Sequence, residues 1–186
     1  MRSSSIRLGM LLTVCAVAGW TIGRAETAGP EKGPRISSYG PVFDVSEPDF
    51  ETLLDQDYKV VFDVARAPNE PDRLNPSIET LARFLNMHAR AGVPEERLFV
   101  ALVLHGAAGK YALQNTSYRA RFQVDNPNLE LLEELRAAGV RVILCGQTAA
   151  SRGFERDELS ASVELALSAM TALITLQSDG YQLIAF

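Results

Sequence analysis

The chain has 186 residues, 47% of them hydrophobic and 22% charged, with a mean hydropathy of +0.01. These values exclude a disordered tail and a multi-pass membrane protein. Residues 1–25 hold Arg2, Arg7 and Arg24 but no acid. The remainder therefore sets all 23 Asp and Glu against 15 of the 18 Lys and Arg, a formal charge of −8. A net acidic body lacks the clustered Lys and Arg that nucleic-acid affinity requires, so no nucleic acid is expected.

The basic head reads as a secretory signal peptide. Arg2 and Arg7 form the positive region, Leu8 to Ile22 is an uncharged apolar run, and Gly23-Arg24-Ala25 puts small residues at −3 and −1 of a cleavage site. The mature chain would start at Glu26 in the periplasm, without stable membrane insertion after cleavage. An uncleaved anchor is the competing reading, but the run is short of the ~20 residues that a spanning helix needs. Removal of the head takes Cys15 with it and leaves Cys145 as the only thiol. No intrachain disulfide is then available, and Cys145 has to be inert, paired between chains, or kept for its reactivity.

Residues 26–41, with Gly29, Pro30, Gly33, Pro34 and Gly40, read as a flexible tether. Residues 42–186 suit one domain. Within it Tyr58–Val64, Leu98–Leu104, Val140–Leu144 and Tyr181–Phe186 are strand-like. The second is apolar at all seven positions, the pattern of a central strand covered on both faces.

Helices fill the intervals. Asn75-Pro76 and Asn126-Pro127 each place a capping Asn before a Pro at the first helical position, and Gly92 and Gly139 mark C-terminal stops. The stripes Ile78, Leu81, Leu85 and Leu131, Leu132, Leu135 each give an apolar face. A last helix is expected over about 157–177. It carries no charge over residues 165–178, so it reads as buried nearly all round, within the subunit or at a subunit interface. Strands alternating with helices predict an α/β domain with a mostly parallel sheet and helices on both sides.

Cys145 closes the third strand at the edge where open α/β sheets place ligands. Gly146 permits a tight turn, and a helical turn from Thr148 onward would aim N–H groups at the sulfur, with Arg152 in reach, favouring thiolate. His105 ends the second strand at the same edge and pairs with Cys145 as a candidate base or ligand. A metal site from Cys145, His105 and His88 lacks any diagnostic spacing, and none is expected. Gly106-Ala-Ala-Gly109-Lys110 fails the phosphate-loop pattern, and no serine sits in a nucleophile elbow.

Tyr58-Lys-Val-Val-Phe-Asp-Val, Val103-Leu-His-Gly-Ala-Ala108, Asn126-Pro-Asn-Leu, Leu135-Arg-Ala-Ala-Gly-Val140 and Val142-Ile-Leu-Cys-Gly-Gln-Thr148 together resemble the DsrE/DsrF-like family of sulfur-relay proteins, over about residues 58–186. The resemblance implies a three-layer α/β/α domain, with a sheet of about five strands, that assembles into homo-oligomers, trimers or hexamers. It also implies that Cys145 takes sulfane sulfur as a persulfide and passes it to a thiol acceptor, using no cofactor. Such an acceptor has to be an exposed thiolate. Gly146 and Gln147 would shape the turn, and Arg152 and His105 would stabilise the anionic sulfur. The sulfur donor and thiol acceptor are not legible. The alternative is a non-catalytic oligomeric binding module for a small anion, thiol or metal ion at the same edge.

Overall fold

The structure, a computed structural model, describes residues 29–185, so the expected signal peptide, Cys15 and the final Phe186 lie outside the described residues. Its frame is a five-stranded sheet in the order β4-β3-β2-β1-β5, with every neighbouring pair parallel. The strands are β1 (Tyr58–Val64), β2 (Leu98–Leu104), β3 (Arg141–Cys145), β4 (Val163–Ala166) and β5 (Gln182–Ala185). The main helices are α1 (Pro76–Arg90), α2 (Asn115–Phe122), α3 (Leu129–Ala137), α4 (Gly146–Arg152) and α5 (Ala169–Ser178).

Strand alternation divides the core in two. Val60, Phe62, Val64, Val100, Leu102, Leu104, Val142 and Leu144 face α1 and α3 in the larger cluster. Val61, Ala101, Val103, Ile143 and Cys145 face α5 in the smaller one. Both faces of β2 are thus covered, which explains its unbroken apolar sequence. The connections β1-to-β2 and β2-to-β3 step toward one edge, whereas β4-to-β5 crosses back to the other. Right-handed crossovers in opposite directions put their helices on opposite faces, and among the described residues α5 is accordingly the one helix on its side.

The start of α1 follows the expected grammar: Asn75 Oδ1 accepts from Ser77 N at 3.0 Å, with Pro76 next. The start of α3 does not. Asn126 spends its amide on the carbonyls of Tyr111 and Leu113, at 2.8 and 2.7 Å, and its Oδ1 accepts from Asn128 N. The helix begins only at Leu129, because Asn126 clamps the preceding loop instead of capping.

The expectation of one long helix over 157–177 is corrected. A helical turn at Arg156–Glu158 is followed by β4 and then by α5. Val163–Ala166 pairs with Val142–Cys145, and Ser168 restarts the chain as a helix by accepting from Thr171 N at 3.0 Å. The uncharged surface is not buried all round either. Leu167, Met170 and Ile174 are 73%, 71% and 65% exposed, because a single helix on this face leaves its outer side uncovered.

The stretch expected as a tether lies along α1. Asn86, fully buried, accepts from the N–H groups of Arg35 and Ile36 at 3.0 and 2.8 Å. Its amide donates to the carbonyls of Ile36, Tyr39 and Gly40. Ile36 enters the core, and Gly40 packs so closely that a Cβ there would stand 2.3 Å from Arg83 N. Composition misled at this point because one buried side chain satisfies the backbone of a segment with little secondary structure of its own.

Candidate functional site

Cys145 is the last residue of β3 and immediately precedes α4. Its partner across the sheet is Ala166 of β4, and the turn out of β3 runs tightly under the β4–α5 connection. A Cβ on Gly146 would lie 2.4 Å from Ala166 O and 3.1 Å from Leu167 O, so the position admits only glycine without backbone movement. Gln147 adds a 3.4 Å bond from Nε2 to Leu167 O across the same gap. Gly146 and Gln147 both lie against the β4–α5 connection in this turn.

The thiol of Cys145 is free, and only 6% of the residue is exposed, more enclosed than the exposed thiol that the sequence led us to expect. Burial by itself pushes its pKa up. The hydroxyl of Thr148 and the backbone N–H groups of Thr148, Ala169 and Gln147 act in the opposite direction, and the net effect is a pKa below the ordinary thiol value. The donors come from the first turns of two helices, α4 and α5, that converge on one sulfur. Donors of this kind favour the ionised form of a thiol, which is its nucleophilic form.

Thr148 is held in turn by the segment that superficially looked like a phosphate loop. Gly106 N donates to Thr148 Oγ1 at 3.1 Å, which occupies an oxygen lone pair and leaves the hydroxyl proton for Cys145. Gly109 provides the space, since a Cβ there would come within 2.6 Å of Thr148 Cγ2. Sequence reading located the N–H donors of α4 in outline. It missed Thr148 as a side-chain donor, and it missed Ala169 because that residue was placed mid-helix.

His105 continues β2 beyond its last paired residue, with extended dihedrals of φ −150° and ψ −176°, and its N–H donates to Val64 O at 3.1 Å. Leu104 pairs with Leu144, so His105 and Cys145 are the next residues along adjacent strands, about 4.8 Å apart in the pairing direction. Alternation puts both on the α5 face. Asp63 of β1 shares that face, and its Oδ1 meets His105 Nε2 at 2.8 Å, with both side chains partly open to solvent. A carboxylate only accepts, so Nε2 carries the hydrogen and Nδ1 is left as the basic nitrogen. Asp63 was legible only as the one acid in β1.

One expected residue is elsewhere. Arg152 ends α4, about 10 Å along the axis from Cys145 at 1.5 Å per residue. Its charge is felt by Lys110, whose pKa is lowered first by burial and then by Arg152. The expectation that Arg152 reaches the sulfur is thus corrected: seven helical residues carry it away from the edge. His88 is on α1 across the sheet, where Nδ1 meets Phe84 O at 2.8 Å and the ring packs on Phe84 and Tyr58. Burial lowers its pKa, the behaviour of a packing histidine. Among the described residues no three His, Cys, Asp or Glu side chains cluster to hold a metal ion, and no helix is long and apolar enough to cross a membrane.

No curated protein matches the chain. Among solved structures it is similar to MTH1491, a protein of unknown function from Methanobacterium thermoautotrophicum, at 20% identity and a TM-score of 0.50, covering 70% of this chain and 100% of that one. It is also similar to the ychN protein of E. coli, at 24% identity and a TM-score of 0.51, covering 69% of this chain and 99% of that one. Both likenesses concern the fold. The family model of the DsrE/DsrF-like family matches residues 59–186, a span that includes β1 to β5 except the first residue of β1 and carries Asp63, His105, Cys145 and Thr148. The chain belongs to the DsrE/DsrF-like family.

Proposed function

We propose that this protein binds and transfers sulfane sulfur as a persulfide on Cys145, and does so in the periplasm after removal of residues 1–25. The observation that supports this reading best is the set of donors around the sulfur: Thr148 Oγ1 and the N–H groups of Gln147, Thr148 and Ala169. They stabilise negative charge both on the resting thiolate and on Cys145 as a leaving group when the sulfur is passed on. In the loading step the thiolate attacks the outer sulfur of a donor R–S–S⁻. The Cys145 S–S bond forms, the donor S–S bond breaks, and the electron pair leaves with R–S⁻. With thiosulfate the leaving group is sulfite.

The exposed apolar surface of α5 supports homo-oligomerisation as part of the same proposal. Leu167, Met170 and Ile174, with Leu183 of β5 on the same sheet face, leave large apolar groups in water around α5, and a second copy would cover them. The direct test of the sulfur reading is intact-mass analysis after incubation with polysulfide or thiosulfate. A gain of one or more sulfur atoms, absent in Cys145→Ser, supports the reading. No adduct, with a thiol inert to alkylation in the folded protein, favours the non-catalytic binding module and overturns transfer.

A further inference from the structure

We propose that His105, oriented by Asp63, is the acid–base group of sulfur transfer and exchanges its proton with the sulfur of the incoming or departing partner, not with Cys145. The inference rests on the reading of Cys145 as the sulfur carrier and deepens it. Three observations carry it. Cys145 has its charge stabilised by four donors of its own, none of them His105. The pairing of Leu104 with Leu144 and the alternation of side chains put His105 next to Cys145 on the same sheet face, just past the end of β2. The 2.8 Å bond to Asp63 takes up Nε2 and leaves Nδ1 as the group able to serve a third party, in a side chain still 30% exposed.

The steps balance. During loading, protonated His105 gives the Nδ1 proton to the departing R–S⁻, producing R–SH and neutral imidazole. During unloading, neutral His105 takes the proton of an acceptor thiol R′–SH. The resulting R′–S⁻ attacks the outer sulfur of the Cys145 persulfide, the Cys145 S–S bond breaks, and Cys145 departs as the thiolate its donors stabilise. No external oxidant or reductant is needed, because one sulfane sulfur changes hands. Asp63 is a positioning residue that fixes the tautomer and supports the imidazolium.

The surroundings leave few other groups for that role. From β1 the group facing His105 is Asp63, and from β3 it is Cys145. Neither α5 nor β5 has a titratable side chain within its range. Lys110, in the turn after His105, holds its ammonium over the rings of Tyr111 and Phe122. Lys59, Arg141 and Glu164 share the sheet face but belong to its other half, and they are paired as Lys59–Asp179 and Arg141–Glu164.

The test is the single-turnover transfer of sulfur from persulfidated protein to 2-mercaptoethanol, measured against pH for wild type, His105→Gln and Asp63→Asn. His105→Gln is expected to unload about 100-fold more slowly below the pKa of the acceptor thiol and to converge with wild type above it, where the acceptor is already ionised. Asp63→Asn should show a smaller loss with the same convergence, and both variants should keep the wild-type pH profile of Cys145 alkylation. A loss equal at every pH, an unchanged rate, or a shifted alkylation profile would overturn the proposal. Failure of the wild type itself to take up sulfur would overturn the carrier reading and this inference together, whereas normal loading with pH-independent variants would sink this inference alone.

Discussion

Gly106 N donates to Thr148 Oγ1 at 3.1 Å, which couples the loop after β2 to the helix after β3 directly above Cys145. A backbone N–H can only donate, so it forces the hydroxyl to act as its acceptor and to turn its own proton toward the sulfur. The polarity of this contact is set by the loop, and the thiolate benefits from it.

Thr148→Val removes that donor while keeping the shape of the side chain. The thiol pKa should go up, the ionised fraction at neutral pH should fall, and alkylation of Cys145 should slow roughly tenfold, for a bond to a charged acceptor of about 1.5 kcal/mol. Thr148→Ser should restore most of the rate. Because the folded thiol titrates below its unfolded value, the unfolded state holds more protons between the two. Stability should therefore rise with pH across that window and be lost as pH falls through the folded value. Urea titrations of wild type and Cys145→Ser at several pH values measure this slope, which the variant should lack.

Gly146→Ala places a methyl 2.4 Å from Ala166 O and 3.1 Å from Leu167 O. Neither obstacle is a flexible side chain, so the turn must shift. Overpacking of this kind costs about 1–3 kcal/mol, and the shift should also disturb the donors around Cys145. Chemical denaturation and alkylation rates should both change, and an unaltered protein would refute the close approach.

Asn86→Ala leaves the N–H groups of Arg35 and Ile36 without the acceptor that they share and three carbonyls without their donor. A destabilisation of about 1–3 kcal/mol is expected from unsatisfied buried groups. Limited trypsin digestion should then cut faster after Lys32 and Arg35, since the segment over α1 would detach before the domain unfolds. Equal digestion of the two proteins would argue that Ile36 alone holds the segment.

Ile174→Glu tests the apolar face of α5. The residue is 65% exposed, so the isolated fold should tolerate the charge, whereas burial of that charge between two copies is costly. The variant should elute from a sizing column as a smaller species than wild type. Ala169 would be a poor choice for this purpose, because it is buried and its N–H faces the sulfur. Identical elution volumes would show that the face is not an interface.

The sequence alone determined β1, β2, the span of α1 and the parallel α/β architecture. These depend on local signals: unbroken apolar runs, a capping Asn before Pro, and glycine at helix ends. It also put Cys145 at the carboxyl end of its strand and His105 at the matching position, since strand ends are legible where an apolar run stops. Tertiary structure decided what surrounds those residues. Ala169 reaches Cys145 only because β4 interrupts what composition reads as one helix, and Val163–Ala166 becomes a strand through pairing with β3 rather than through its own propensity. Asp63 meets His105 across 42 residues of chain, and Arg152, only seven residues after Cys145, is carried off by a helix. Burial, donor geometry and the pairing of acid with base are properties of distant segments brought together, and no local pattern of residues encodes them.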